Sequence, residues 1–167
     1  YKNLNGRSSE TTDYVSSTSN KANQKGVLVG AKSSQKIRSW VISGAASGTG
    51  AATGSVNVLV FRSNTSAWIG SGAEITSKNS DILVVAVDTT SIQDVTGDVS
   101  ASGIASAGAS SDTITFKKNT YAHVDSSAVL TSAGNIIVKA VSDETYVVVV
   151  ASAGISTVMA ANGAVSV

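Results

Sequence analysis

The chain has 167 residues and a formal net charge of +1, from 12 basic and 11 acidic side chains, with one histidine and neither cysteine nor proline. These counts exclude disulfide bonds, cysteine-ligated zinc, thiol nucleophiles and any metal site built from several histidines. The balanced charge predicts no binding to nucleic acid or to anionic membranes, while 42% apolar residues are too many for a disordered chain.

The leading segment, Tyr1 to Arg7, is polar and lacks the apolar core of a signal peptide. The longest apolar runs lie at 82–87 and 146–151, which is the length of a strand and far short of the about 20 residues that a membrane-spanning helix needs. We therefore expect no membrane insertion, and the chain is either intracellular or a processed part of an exported protein. The absence of cysteine is compatible with both.

Every element that the pattern predicts is a strand. Apolar residues alternate with a period of two, β-branched residues crowd the apolar runs, and no stripe with helical spacing occurs. Tracts rich in Gly, Ala and Ser begin near Ile37, Ile92 and Tyr146, and we interpret them as a second, closely packed element of each repeat. The predicted strands, in chain order, are 27–31, 56–61, 64–69, 82–87, 113–116, 119–124, 136–141 and 146–150.

An internal repeat with a period of about 55 residues organises the chain. The block Asn64–Val87 returns as Asn119–Val141, with the Asn-Thr-x-Ala spacing and the following strand preserved, and a weaker copy ends in Gly26–Ala31. Repeats of this size stack so that each unit buries its apolar face on the next. We therefore predict an all-β parallel β-helix (β-solenoid) as a single domain over 1–167, with no separate cap domain and with three approximate repeats, 1–50, 51–105 and 106–167.

Stacked repeats place equivalent residues in columns. The alternation predicts that one face of the recurring strand points into the solenoid and forms continuous aliphatic columns. The opposite face carries a second apolar column, which we expect to be covered either by the small-residue tracts or by a neighbouring chain, as a packing or assembly surface. The interior columns are Val27, Val29, Ile82, Val84, Ile136 and Val138, and the second column is Leu28, Leu83 and Ile137.

These features resemble a family of bacterial surface proteins. The segment Asn64–Ala73 with its second copy from Asn119, the strand Asp81–Ala86 and the small-residue tracts are similar to the repeat regions of filamentous-haemagglutinin-like large exoproteins, particularly the leukotoxin-type filamentous adhesins of anaerobic Gram-negative bacteria. The resemblance covers about residues 27–167. It implies a right-handed parallel β-helix that is exported to the cell surface, with no active site in its repeats. Because such proteins have many more repeats, we expect either a fragment or a short subunit that stacks with its copies.

No pattern of residues points to catalysis, a cofactor or a metal ion. Asp94 and Asp98, and the pair Asp143–Glu144, invite comparison with glycosidase carboxylates, but they do not recur with the repeat and we predict solvated charges in turns. His123 is predicted to be a surface residue of a strand. Neither a calcium-binding nonapeptide nor a phosphate-binding loop occurs.

The sequence therefore predicts a structural or adhesive segment of an extracellular surface protein or filament, without enzymatic activity. The uncharged end Ala164–Val167 has no cap and predicts a continuation, either covalent or by head-to-tail stacking of copies. Expected partners are the chain itself and receptors on host or neighbouring cells. The alternatives are a self-assembling filament subunit and, in a different class, a carbohydrate-active β-helix enzyme.

Overall fold

The computed structural model describes residues 26–167, so the prediction for Tyr1 to Arg7 lies outside the described residues. All regular secondary-structure elements among the described residues are strands. These residues contain no helix that could cross a membrane. The strands are β1 (Val27–Ser47), β2 (Gly50–Ile69), β3 (Glu74–Ser77), β4 (Ile82–Ser102), β5 (Ala105–Val124), β6 (Val129–Ser132), β7 (Ile136–Ile155) and β8 (Met159–Ser166).

The strands form three parallel sheets, in the orders β1-β4-β7, β2-β5-β8 and β3-β6. Among the described residues, strands β1 to β3 make the first coil, β4 to β6 the second, and β7 with β8 the third. Paired residues of successive coils are 54 or 55 positions apart, as Glu74 with Val129 and Ala105 with Met159 illustrate. The predicted all-β parallel solenoid built from repeats is confirmed.

The long strands extend further than the sequence predicted. The small-residue tracts near Ile37, Ile92 and Tyr146 do not start a new element, because β1, β4 and β7 run through them without a break over 21, 21 and 20 residues. In β4, buried residues recur at every second position from Ile82 to Ser100. The alternation thus continues after the apolar residues end, with Ser, Thr and Asp at the inward positions.

The turn that precedes each short strand recurs with the same backbone conformation. Gly72 has a φ of 73° and Ser127, its equivalent in the next coil, a φ of 64°. The turns are closed by hydrogen bonds from Ala73 N to Gly70 O at 3.3 Å and from Ala128 N to Asp125 O at 3.4 Å. A positive φ at the third residue of a tight turn favours glycine. Ser127 adopts this backbone conformation although it is a serine.

The chain divides into two compact units. Of the described residues, unit 1 contains 26–35, 63–89 and 118–144, and unit 2 contains 36–62, 90–117 and 145–167. Unit 1 contains the apolar core, with one cluster on each face of the first part of β4. Among the described residues, Ile92 is the single buried hydrophobic side chain of unit 2, and the other buried side chains there are polar.

Candidate functional site: an open coil and buried carboxylates

The predicted interior residues of the middle coil lie in the core of unit 1. Ile82 and Val84 have no exposed surface and belong to one apolar cluster. Val27 and Val29, from the first coil, are partly buried and pack against that cluster. Strand β4 lies between β1 and β7 in its sheet, so its side chains are covered by a neighbouring coil on both sides.

The equivalent residues of the third coil are open. Ile136 is 46% exposed and Val138 is 42% exposed, although Ile82 and Val84 are fully buried at the same positions of the repeat. The reason is that β7 lies at the edge of its sheet, and no further strand of residues 26–167 pairs with it on that side. An edge with unpaired backbone groups and uncovered aliphatic side chains is a surface to which another strand can add.

The second apolar column lies on the other face of β4. Leu83 has no exposed surface and forms a cluster with Val85 and Val87. Leu28 and Ile137 are partly buried and pack against this cluster. This part of β4 is therefore buried on both faces, which is the usual situation of a central strand in a parallel sheet.

An ion triad in unit 1 joins a nearly buried lysine to one buried and one exposed carboxylate. The side chain of Lys118 is only 7% exposed, and its Nζ lies 2.9 Å from Asp88 Oδ1 and 3.2 Å from Glu144 Oε1. The hydroxyls of Ser63 and Thr65 donate to Asp88 Oδ2 at 2.9 and 3.1 Å. Burial raises the pKa of Asp88, but the hydrogen bonds from Lys118 and the two hydroxyls, together with the lysine charge, hold that pKa below its usual value. Asp88 is thus an ionised carboxylate with a cation and two donors around it.

Asp98, in unit 2, is held by hydroxyl groups instead of a cation. Its Oδ1 accepts hydrogen bonds from Thr53 Oγ1 at 3.0 Å and Ser152 Oγ at 2.8 Å, and its Oδ2 accepts one from Ser110 Oγ at 2.5 Å. Burial raises the pKa of Asp98, but these three hydrogen bonds lower it below its usual value. Gly108 makes room for the carboxylate, because a Cβ at this position would collide with Asp98 Oδ1 and lie 2.8 Å from Ser152 Oγ.

Asp94 and Asp112 form a buried carboxyl pair in unit 2. Neither has exposed surface. Asn57 Nδ2 donates to Asp94 Oδ2 at 2.6 Å, whereas Asp94 Oδ1 and both carboxyl oxygens of Asp112 have no donor. Burial, and then the charge of Asp112, raise the pKa of Asp94, and the hydrogen bonds from Ser39 and Asn57 oppose this only in part. The raised pKa of Asp94 favours the protonated form of its carboxyl group.

The predicted location of the acidic residues in turns is wrong. Asp94 and Asp98 lie within β4, and Asp143–Glu144 lies within β7. Asp94 and Asp98 are 0% and 3% exposed, so their carboxyl groups face other strands rather than solvent. The sequence signal that was missed is the continued alternation from Ile82 through Asp94, since inward Asp residues were interpreted as turn residues.

His123 lies on the surface of unit 1, as predicted. Its ring stacks on that of Trp68, with 6.3 Å between the ring centroids and 9° between the planes, and its Nε2 lies 3.3 Å from Asp125 Oδ1. Both rings are about half exposed. Across residues 26–167, no three His, Cys, Asp or Glu side chains come together as a group that could hold a metal ion.

Comparison with known proteins identifies no relative: no protein-family model, no curated protein and no solved structure matches the chain. The solenoid itself is therefore the source of information on function. Its two informative features are the open third coil and the polar interior of unit 2.

Proposed function

We propose that the chain is a structural and adhesive segment of an extracellular surface protein or filament, in which stacked coils act as a stiff β-rod. The observation that carries this proposal is the contrast between the middle and third coils. The same aliphatic positions are fully buried at Ile82 and Val84 and 46% and 42% exposed at Ile136 and Val138. A further coil at this edge would bury them, as β7 and β1 bury their equivalents in β4.

The composition supports an exported, mechanical role. The chain has no cysteine, so it passes through a secretion pore without disulfide bonds to restrict it. Its sequence resembles the repeat regions of filamentous-haemagglutinin-like exoproteins, and similar repeats serve as extended surface structures. Receptors on host or neighbouring cells are the partners that an adhesive segment would bind, and no cofactor is needed for that role.

The surface location is tested on intact cells of the source organism. Antibodies raised against the purified chain should label the outside of unpermeabilised cells in immunogold electron microscopy, and protease added to intact cells should remove the signal. Labelling that requires permeabilisation would contradict the extracellular proposal. A cytoplasmic protein labelled in parallel shows that the cells have remained closed.

A second candidate is a filament subunit that stacks head to tail with copies of itself. The observation in its favour is the strand order of the two three-stranded sheets of residues 26–167, in which β1 and β2 lie at one edge and β7 and β8 at the other. A contact between two different edges of identical subunits is heterologous and does not close, so it generates a filament. Each added subunit would again present an open edge.

Association of the purified chain, measured by sedimentation velocity and electron microscopy, tests this second candidate. We expect concentration-dependent association for the wild type and at least a tenfold loss of association for Val138→Asp, because the charge would be buried beneath the added coil. Val129→Asp is the matched control, since Val129 is exposed on strand β6 and lies outside the apolar clusters. A wild-type chain that stays monomeric at its highest soluble concentration would contradict the filament candidate.

A further inference from the structure

We propose that the carboxyl groups of Asp94 and Asp112 bind a calcium ion in the interior of unit 2. Asp94 lies on β4 and Asp112 on β5, and each of these strands is the central strand of its sheet. Neither residue has exposed surface, so the ion would be enclosed by the neighbouring coils on both sides. A calcium ion at this site is independent of the adhesive role proposed above.

The charged side chains of unit 2 are separated into a buried acidic set and an exposed basic set. All three acidic residues of the unit, Asp94, Asp98 and Asp112, are at most 3% exposed. All four of its basic residues are exposed, so no basic side chain of unit 2 lies among the buried carboxyl groups. In unit 1, by contrast, the buried Asp88 has Lys118 as its cation. The basic residues of unit 2 are Lys36, Arg38, Arg62 and Lys117.

Oxygen atoms without a hydrogen-bond partner collect at this point of the interior. Asp94 Oδ1 and both carboxyl oxygens of Asp112 are buried and have no partner in the protein. The side chain of Thr96 is an independent third case, because this residue is 1% exposed and its Oγ1 has no partner either. Buried polar atoms are nearly always paired with protein, water or an ion, since an unpaired one is costly. Four such oxygens together therefore indicate a bound ligand.

The alignment of β4 with β5 across the interior directs Thr96 toward Asp112. Asp94 is adjacent to Asp112, and four residues further along β4 Asp98 accepts a hydrogen bond from Ser110. The two strands therefore run in opposite directions across the interior of unit 2. Thr96 lies midway between Asp94 and Asp98 on the same inward face of β4. Its hydroxyl thus faces the segment 110–112, where the Asp112 carboxyl group lies.

The chemistry of these ligand atoms favours Ca²⁺. All of them are oxygens, which is the donor set that Ca²⁺ uses, and hydroxyl and water oxygens can complete its about six to eight ligands around two carboxylates. Burial and the neighbouring charge of Asp112 raise the pKa of Asp94, and a divalent ion would balance the charges of both carboxylates. Mg²⁺ fits less well, because it requires octahedral geometry and gives up its water reluctantly.

Retention of calcium after refolding tests the site. Because strands enclose it, the chain is unfolded in urea, refolded in calcium chloride at neutral pH, desalted and analysed by inductively coupled plasma mass spectrometry. We expect about one calcium ion per wild-type chain and at least a tenfold loss for Asp112→Asn, which removes one of the two ligand charges. Asp143→Asn is the matched control, since it removes an exposed carboxylate of unit 1 and should retain calcium as the wild type does.

The stability of the wild type provides a second measurement that needs no variant. We expect its urea midpoint to be higher in calcium chloride than in EGTA with magnesium chloride at equal ionic strength, because an ion that binds only the folded chain stabilises it. Equal calcium retention by the wild type and Asp112→Asn would indicate an adventitious ion only and overturn the inference. A wild type that retains no calcium and unfolds at the same urea concentration in both buffers would also overturn it, and the carboxyl pair would then bind only a proton.

Discussion

The two units differ in how they accommodate buried acidic groups. In unit 1, the buried Asp88 pairs with Lys118, whose side chain is almost completely buried and also contacts the exposed Glu144. In unit 2, Asp98 is surrounded by three hydroxyls, and Asp94 is adjacent to a second carboxyl group, that of Asp112. One sequence repeat therefore supports two kinds of polar interior. A solenoid interior therefore does not need to be aliphatic along its whole length.

The largest expected effect on stability comes from removing the ammonium group of Lys118 from the ion triad of unit 1. Lys118→Met leaves two carboxylates beside an apolar side chain, and we expect the free energy of unfolding in urea to fall by about 3–5 kcal/mol. Lys117→Met is the control, because the neighbouring Lys117 is exposed. Adding Asp88→Asn to Lys118→Met should recover part of the loss. Equal stability of the two lysine variants would show that the triad contributes nothing.

A smaller effect on stability is expected at Gly108, the residue of unit 2 that leaves room for the Asp98 carboxylate. Gly108→Ala places a methyl group against Asp98 Oδ1 and Ser152 Oγ, and we expect a loss of about 1–3 kcal/mol in unfolding free energy. Gly54→Ala is the control, because its nearest neighbour, Ala109 O, would be 3.6 Å from the new Cβ. Equal stability of Gly108→Ala and Gly54→Ala would contradict the close packing of Gly108 against the Asp98 carboxylate and the Ser152 hydroxyl.

The smallest expected effect is on the pH dependence of the free energy of unfolding, through a buried carboxyl group of unit 2. Asp94 has a raised native pKa, so the native state binds its proton more tightly, and the wild type loses stability as pH rises from the unfolded value of about 3.9 through the native pKa. Asp94→Asn removes this loss, and its amide can donate to Asp112. We therefore expect Asp94→Asn to flatten this part of the pH profile of unfolding in urea.

Asp98→Asn is expected to change the pH dependence of unfolding in the opposite direction to Asp94→Asn. Asp98 has a lowered native pKa, so its contribution is present above the unfolded value and is lost as pH falls through the native pKa. The Asn variant should lose stability near neutral pH and differ less from the wild type in acid. Profiles of the two variants that shift in the same direction would refute the distinction between the carboxyl pair and the hydroxyl cradle.

The repeat and the period of two were sufficient to predict the solenoid and the residues that face each other in its apolar part. Ile82 and Val84 could be assigned because valine and isoleucine recur at fixed spacing in all three copies. The length of the strands could not be predicted in the same way. Inward Ser, Thr and Asp residues have the composition of turns, and their hydrogen-bond partners lie on strands tens of residues away.

The polar sites were beyond sequence reasoning for a related reason. Lysine is a residue type that is almost always exposed. Only the position of Lys118, one repeat of 55 residues after the inward Ser63, indicates that its side chain points inward. The approach of Asp94 to Asp112 depends on which residues of two different sheets face each other. No spacing along the chain determines that contact.

The pairing of residues 54 or 55 positions apart also has a consequence for the speed of folding. The parallel ladders join no close neighbours in sequence, so a large loop must close before the first ladder forms, and contacts of this kind make folding slow. A coil emerging from the ribosome has no partner until about one further coil has been synthesised. The chain is thus delayed in folding by its own connectivity, and that delay is an advantage for any polypeptide that must cross a narrow pore while still extended.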